Sequence, residues 1–180
     1  MENLKIELDN QKQIEKVINA ISSLPSINEL TITDEEKLIN ARNLYEALNH
    51  ELKTKVTNLN VLESCEKALE LLKQNNDSAS YVIELINNLP TIEDLKLTDK
   101  ETVLGVQNTY DNLTDVVKNL ITNVDKLNSL VEIVSEFDSV ENVISVINNL
   151  PNISDLTLND EEKLIAARNL YEALNSKVKK

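Results

Sequence analysis

Apolar residues recur at steps of three and four along most of this chain, and one pattern of them occurs three times. The first occurrence ends at Pro25, and its apolar residues are Val17, Ile18, Ile21 and Leu24. This spacing places the side chains on one face of a helix, which ends before the proline because that residue disfavours helical geometry in its predecessor. We name this predicted helix A. It recurs at Val82, Ile83, Ile86 and Leu89, and at Val143, Ile144, Ile147 and Leu150.

A short link and a second helix, helix B, follow each proline. We expect the apolar residues of the link to close the end of a helix bundle, although a strand of three or four residues is an alternative. The apolar residues of the three links are Ile27, Leu30 and Ile32, then Ile92, Leu95 and Leu97, then Ile153, Leu156 and Leu158. Helix B is expected to begin at a capping pair, namely Thr33 with Glu36, Thr98 with Glu101, or Asn159 with Glu162. The apolar seam continues to Val56, which predicts a helix of about 23 residues, roughly 34 Å long.

A third helix, helix C, is predicted after the first two B helices. It begins at a Thr-Asn pair, and its apolar stripe is Leu59, Leu62, Cys65 and Leu69 in the first copy and Val124, Leu127, Leu130 and Val134 in the second. Its connection to the next helix A is open, since residues 75–78 are a plausible break and Asp138 with Glu141 resembles a new cap. We favour a continuous or kinked connection.

The three copies are related by sequence as well as by pattern. Residues 25–49 and 151–175 are identical at nineteen of twenty-five positions, and residues 90–114 keep nine of the twenty-five residues of the first copy. Self-similarity at a nearly fixed period is typical of modular arrays. The sequence therefore predicts an all-α fold, an elongated tandem array of spectrin-like three-helix bundles. The expected repeats are residues 1–75, 76–137 and 138–180, the last without a helix C.

Composition narrows the classes of function. The net charge is −13 and the only two arginines are Arg42 and Arg168, so nucleic acid and anionic polymers are unfavourable partners. No stretch is apolar enough for membrane insertion, and no signal peptide is visible. Motifs for metals, nucleotides or other cofactors are missing from the sequence, and we expect no enzyme activity.

Single residues with reactive side chains have simpler interpretations. Cys65 lies on the apolar stripe of helix C, where a small buried side chain is expected, and His50 is expected on the surface. The equivalent tyrosines Tyr45, Tyr110 and Tyr171 lie on the core seam of helix B, so we expect them to pack inside rather than to stack against sugars.

The repeated pattern LPxIxxLTLxDEExLxxARxxYxALxxxxKxxVTNxxxLxxxE resembles α-helical repeat modules of large Gram-positive cell-surface and S-layer-type proteins. The resemblance covers roughly residues 14–178 and is weakest in the second copy, which has Gly105, Gln107, Thr109 and Asn112. It implies an extracellular location at the cell surface or cell wall, neighbouring domains in a longer chain, and no catalytic residues.

Two functions are consistent with these observations. The first is a structural spacer that positions neighbouring domains. The second is an adhesin-type module that binds a host or partner protein through exposed helix faces. Apolar residues beside the core stripe are the candidate partner face, although they are also able to widen the core: Ile39, Leu44, Ile165 and Leu170.

Self-association is a further expectation. Helix A and helix B of the third copy carry the same seam as the earlier pairs without a predicted helix C. Leu4 and Leu8 align with Leu130 and Val134, so residues 2–10 resemble the end of a helix C. We expect these residues of one molecule to dock near Ile147, Leu164, Tyr171 and Leu174 of another, in a head-to-tail contact.

Overall fold

The computed structural model describes residues 1–179, which contain α-helices, short 3₁₀ turns and no strand. The helices are α1 (Glu2–Ser22), α2 (Glu35–Glu46), α3 (His50–Lys53), α4 (Leu59–Asn87), α5 (Lys100–Asp111), α6 (Asp115–Lys118), α7 (Val124–Val134), α8 (Phe137–Asn148) and α9 (Glu161–Ala173). The 3₁₀ turns are Ile32–Asp34, Leu97–Asp99, Ile153–Asp155, Leu158–Asp160 and Ser176–Val178. The all-α prediction is confirmed.

Backbone contacts divide the chain into two compact units, Met1–Ser78 and Ala79–Lys180. The boundary falls inside α4, which contributes its first part to one unit and its last part to the other. The expected repeat boundaries near residues 75 and 137 stay predictions.

The first unit is built on α1, α2 and the first part of α4. One buried cluster joins the three predicted stripes and contains Val17, Ile21, Ala41, Leu48, Leu52, Val56 and Leu62. A second cluster contains Leu30, Leu38, Cys65 and Leu69, so Leu30 closes one end of the core as expected. Ile27, by contrast, is exposed.

The second unit repeats this arrangement with the last part of α4, α5 and α7. Its buried cluster includes Val82, Ile86, Val103, Leu127 and Leu130. It continues through Ile133, Val134 and Phe137, at the point where α7 ends and α8 begins, and Val178 packs against it. The link before α9 differs from the earlier links, because Ile153 and Leu158 are almost fully exposed.

The capping pairs at the start of helix B are two residues earlier than predicted. The Thr31 backbone N–H and hydroxyl both donate to Asp34 Oδ2, and Thr157 donates in the same way to Asp160. In the second copy the Lys96 backbone N–H donates to Asp99. The predicted pairs beginning at Thr33, Thr98 and Asn159 were wrong. A 3₁₀ turn precedes each α-helix, and the cap lies at the start of that turn.

Helix B is not the single 23-residue helix that the seam predicted. It ends near Glu46 and restarts at His50, because the Asn49 side chain accepts a hydrogen bond of 2.9 Å from the Leu52 backbone N–H. Thr114 caps α6 in the same way, and Asn175 accepts from Lys177 before the last 3₁₀ turn. A cap residue inside an otherwise regular apolar seam was therefore missed.

Helix C begins after its Thr-Asn pair, as predicted, at Leu59 and at Val124. The first C–A connection is one continuous helix, α4, and residues 74–78 do not interrupt it. The second is interrupted at Ser135 and Glu136, between α7 and α8, without a side-chain cap at Asp138. Residues 2–10 belong to α1, which runs unbroken into the first helix A.

Candidate partner-binding faces

The four residues of the predicted partner face fall into two groups. Ile39 and Ile165 are 50% and 51% exposed at equivalent positions of α2 and α9. Leu44 and Leu170 are half-buried, and Leu44 packs against the first core cluster. The structure therefore keeps the two isoleucines accessible and uses Leu44 to widen the core.

Helix C is held on the first A–B pair by two ion pairs as well as by apolar contacts. Arg42 donates from Nε and Nη2 to the two carboxylate oxygens of Glu66, and Lys73 donates to Glu35. The Arg42 pair is about two-thirds buried, and its bidentate hydrogen bonding raises the pKa of Arg42 above its ordinary value. These pairs fix the rotation of helix C against helix B.

The equivalent positions of the second copy carry different but matched residues. Lys100 replaces Glu35, and Asp138 replaces Lys73, so the ion pair is kept with its charges exchanged. This contact raises the pKa of Lys100. Gln107 replaces Arg42, and the residue that corresponds to Glu66 is the uncharged Val131. Both of these substitutions in helix B are thus accompanied by a matching substitution at the position that faces them.

An asparagine ties the start of helix C to helix A in both copies. Asn58 Nδ2 donates to the Ile18 carbonyl at 3.0 Å, and Asn123 Nδ2 donates to the Ile83 carbonyl at 2.9 Å. The two contacts join residues at the same separation along the chain, so the predicted Thr-Asn start has a tertiary role as well as a local one.

The third A–B pair has an open groove where the first two pairs carry helix C. Its residues are Ile147, Leu164, Ala167, Arg168 and Tyr171, which enclose about 320 Å³. Ile147 is 46% exposed and Leu164 is 38% exposed, whereas their counterparts Ile21 and Leu38 are at most 2% exposed. We call this surface the α8–α9 groove.

The other side of the same helix pair is packed normally. Val143 and Leu174 are buried, as are the equivalent residues Val17 and Leu48 of the first copy. Ile147 and Leu164 therefore lose burial on the face that helix C covers elsewhere, whereas Val143 and Leu174 do not. Arg168 also lies on this face. Its side chain is 72% exposed and is paired loosely with Glu172, at 3.4 Å.

Each tyrosine of the seam is covered by a lysine from the segment that follows. The Lys53, Lys118 and Lys179 ammonium groups lie 5.2, 5.4 and 5.6 Å from the ring centres of Tyr45, Tyr110 and Tyr171. Lys118 and Lys179 also donate to the last carbonyls of α5 and α9. The tyrosines are half-buried in the first two copies and 38% exposed in the third, so core packing is confirmed where helix C is present.

The remaining candidate residues have structural surroundings. Cys65 is buried in the core, its thiol lies 3.8 Å from the Pro25 carbonyl, and burial raises its pKa. His50 is exposed at the start of α3. Residues 1–179 contain no group of acidic, His and Cys side chains arranged to hold a metal ion. In the same range, every helix is too short or too polar to cross a bilayer.

Sequence reasoning missed the charged contacts of helix C. Glu66 and Lys73 were not singled out, because a contact between residues 24 or 38 positions apart leaves no periodic signal. Comparison of the copies position by position would have revealed the exchanged pairs.

Comparison with protein-family models gives no match for this sequence. Searches of the curated proteins and of the solved structures give no match either.

Proposed function

We propose that this chain is a non-catalytic structural spacer, a segment of a bacterial cell-surface protein that positions neighbouring domains. The observation that supports this most is the recurrence of one contact set. The asparagine at the start of helix C bonds the equivalent carbonyl of helix A in two copies. The ion pair of Glu35 with Lys73 recurs with exchanged charges between Lys100 and Asp138, which lies at the start of α8. Contacts preserved by compensating change serve the stability of a repeated unit.

A repeated three-helix unit suits a spacer because length is then set by the number of units. The proposal includes a tandem, elongated arrangement, and the resemblance of the repeat pattern to Gram-positive surface proteins supports an extracellular location. The net charge of −13 favours solubility and disfavours attachment to anionic polymers.

Small-angle scattering tests the elongated arrangement. A compact protein of 180 residues has a radius of gyration of about 16 Å. We expect a clearly larger value that stays constant over a dilution series, so that self-association is separated from shape. A radius near the compact value would contradict the spacer proposal.

A binding role is the second candidate, and one observation favours it. Ile39, Leu104 and Ile165 occupy the equivalent position of the three B helices and are 50, 37 and 51% exposed. Apolar residues kept accessible at a repeated position are a feature of helix-mediated recognition. Purified extracellular-matrix proteins, assayed by surface plasmon resonance, should bind the chain and lose binding in the Ile39→Ser, Ile165→Ser double variant. If the wild-type chain and the double variant bind equally, or if neither binds, the spacer role is the better account.

A further inference from the structure

The α8–α9 groove is a surface whose occupant can be deduced from the other two copies. Helix C contributes Leu62 to the cluster that contains Ile21, and Cys65 and Leu69 to the cluster that contains Leu38. In the second copy, Leu127 and Leu130 are buried with Ile86 and Val103. The equivalent residues of the groove, Ile147 and Leu164, are therefore shaped to receive the apolar stripe of a helix of this kind.

The charges around the groove narrow the occupant further. The copy with Arg42 has Glu66 opposite it, whereas the copy with Gln107 has Val131. The copy with Glu35 has Lys73 opposite it, whereas the copy with Lys100 has Asp138. The third copy has Arg168 and Glu161 at these two positions, the same charges as the first copy. Its matching helix needs a glutamate facing Arg168 and a lysine seven residues later facing Glu161.

We propose that the α8–α9 groove is a docking site for an amphipathic helix with the chemistry of residues 59–73 of this chain. The occupant carries apolar residues at the positions of Leu62, Cys65 and Leu69, a glutamate at that of Glu66 and a lysine at that of Lys73. This proposal adds a partner-binding surface to the spacer role and does not depend on it, because the groove is the same whatever the shape of the whole protein.

Residues 2–10 of a second copy fit the groove less well. When Leu4 and Leu8 are aligned with Leu130 and Val134, Lys5 takes the position of Glu66 and would face Arg168. Two like charges at a contact that is an ion pair in the first copy disfavour this docking. The same alignment places Lys12 at the position of Lys73, so α1 keeps one of the two charge matches, whereas a C-type helix keeps both.

A labelled peptide of residues 57–75 with Cys65→Ala, titrated with the whole protein and followed by fluorescence anisotropy, tests the proposal. We expect saturable binding of one peptide per chain and loss of that binding in Leu164→Asp. The matched control is Ala166→Asp, since Ala166 is exposed on α9 and does not line the groove, so this variant should leave binding unchanged. Circular dichroism of both variants checks that the fold is kept.

Charge reversal identifies the register of docking. Glu66→Arg in the peptide should weaken binding about fivefold, the scale of one partly exposed ion pair, and Arg168→Glu in the protein should restore it. Absence of saturable binding, equal binding to Leu164→Asp, or no effect of charge reversal would overturn the proposal. Concentration-dependent association of the protein that Leu8→Asp abolishes would also overturn it, because residues 2–10 would then be the occupant.

Discussion

Asp34 shows how one side chain fixes the start of a helix. It accepts from the Thr31 backbone N–H and hydroxyl and from Lys37 Nζ, and its equivalent Asp160 does the same with Thr157 and Lys163. These hydrogen bonds, with Lys37 or Lys163 contributing most, lower the pKa of each carboxyl from 3.8 to about 2. Both carboxyls therefore stabilise the fold in their ionised form.

The lowered pKa predicts a dependence of stability on pH. Between pH 4 and pH 2 the unfolded chain binds a proton at Asp34 that the folded chain does not, so this stabilisation is present above about pH 4 and is lost as pH falls toward 2. Asp34→Asn should lower the melting temperature at pH 6, and its difference from the wild type should shrink toward pH 2. Asp9→Asn, on the exposed part of α1, is the control. A difference that is the same at pH 6 and pH 2 would contradict this role.

Gly105 is a second residue whose surroundings make a definite prediction. It lies inside α5, and apart from its chain neighbours and the adjoining helix backbone, a Cβ built on it would meet no atom within 4 Å. Gly105→Ala should therefore stabilise the protein by about 1 kcal/mol, because alanine has the higher helix propensity. The reverse change Ala166→Gly, on the exposed side of α9, should destabilise it by a similar amount. Urea unfolding measures both, and destabilisation by Gly105→Ala would show a contact that the structure lacks.

At the scale of elements, the break in helix B arises because a local hydrogen bond interrupts a helix that the apolar seam alone would make continuous. The apolar seam continues through the break because Leu48 and Leu52 are both buried, so the seam alone predicts one helix. The Asn49 side chain ends it by offering the backbone another hydrogen bond.

The direction in which one substitution changes the free energy of unfolding distinguishes the broken helix from a continuous one. Asn49→Ala removes the cap of α3 and should cost about 1 kcal/mol. In a continuous helix B the same change would replace a poor helix former by a good one and stabilise the protein by about 0.5 kcal/mol. Asn43→Ala, exposed in the middle of α2, is the matched control and should be stabilising. Urea unfolding in which Asn49→Ala is also stabilising would count against the break.

The helices could be predicted from the sequence, whereas the cap inside helix B and the ion pairs between helices could not. Helices A and C were predictable because burial of one face imposes a period on the sequence, and Leu62 and Leu127 are fully buried as that period requires. The cap at Asn49 was not, because a short-range hydrogen bond overrides the period. The ion pair between helices B and C was not predictable either, because Arg42 and Glu66 meet only after the helices have packed. Ile39 and Ile165 were correctly located beside the core stripe, while their role as a partner face stays a prediction.

At the scale of the whole molecule, the central claim is that the chain grows by adding like units. The period between the first two copies is 65 residues, and Thr57 and Thr122 occupy equivalent positions. A second copy of residues 58–122 can therefore be inserted between Thr122 and Asn123 without changing any local sequence junction. The inserted segment brings a complete set of helix C, A and B stripes with it.

Small-angle scattering of the extended and original chains, compared at matched concentrations, tests this claim most directly. If units add in a row, the radius of gyration should rise by about a third, in proportion to the added length. A single compact body of the larger size would increase its radius by only about one eighth. The first result is the one we predict, and the second, in a chain that is folded by circular dichroism, would contradict the account.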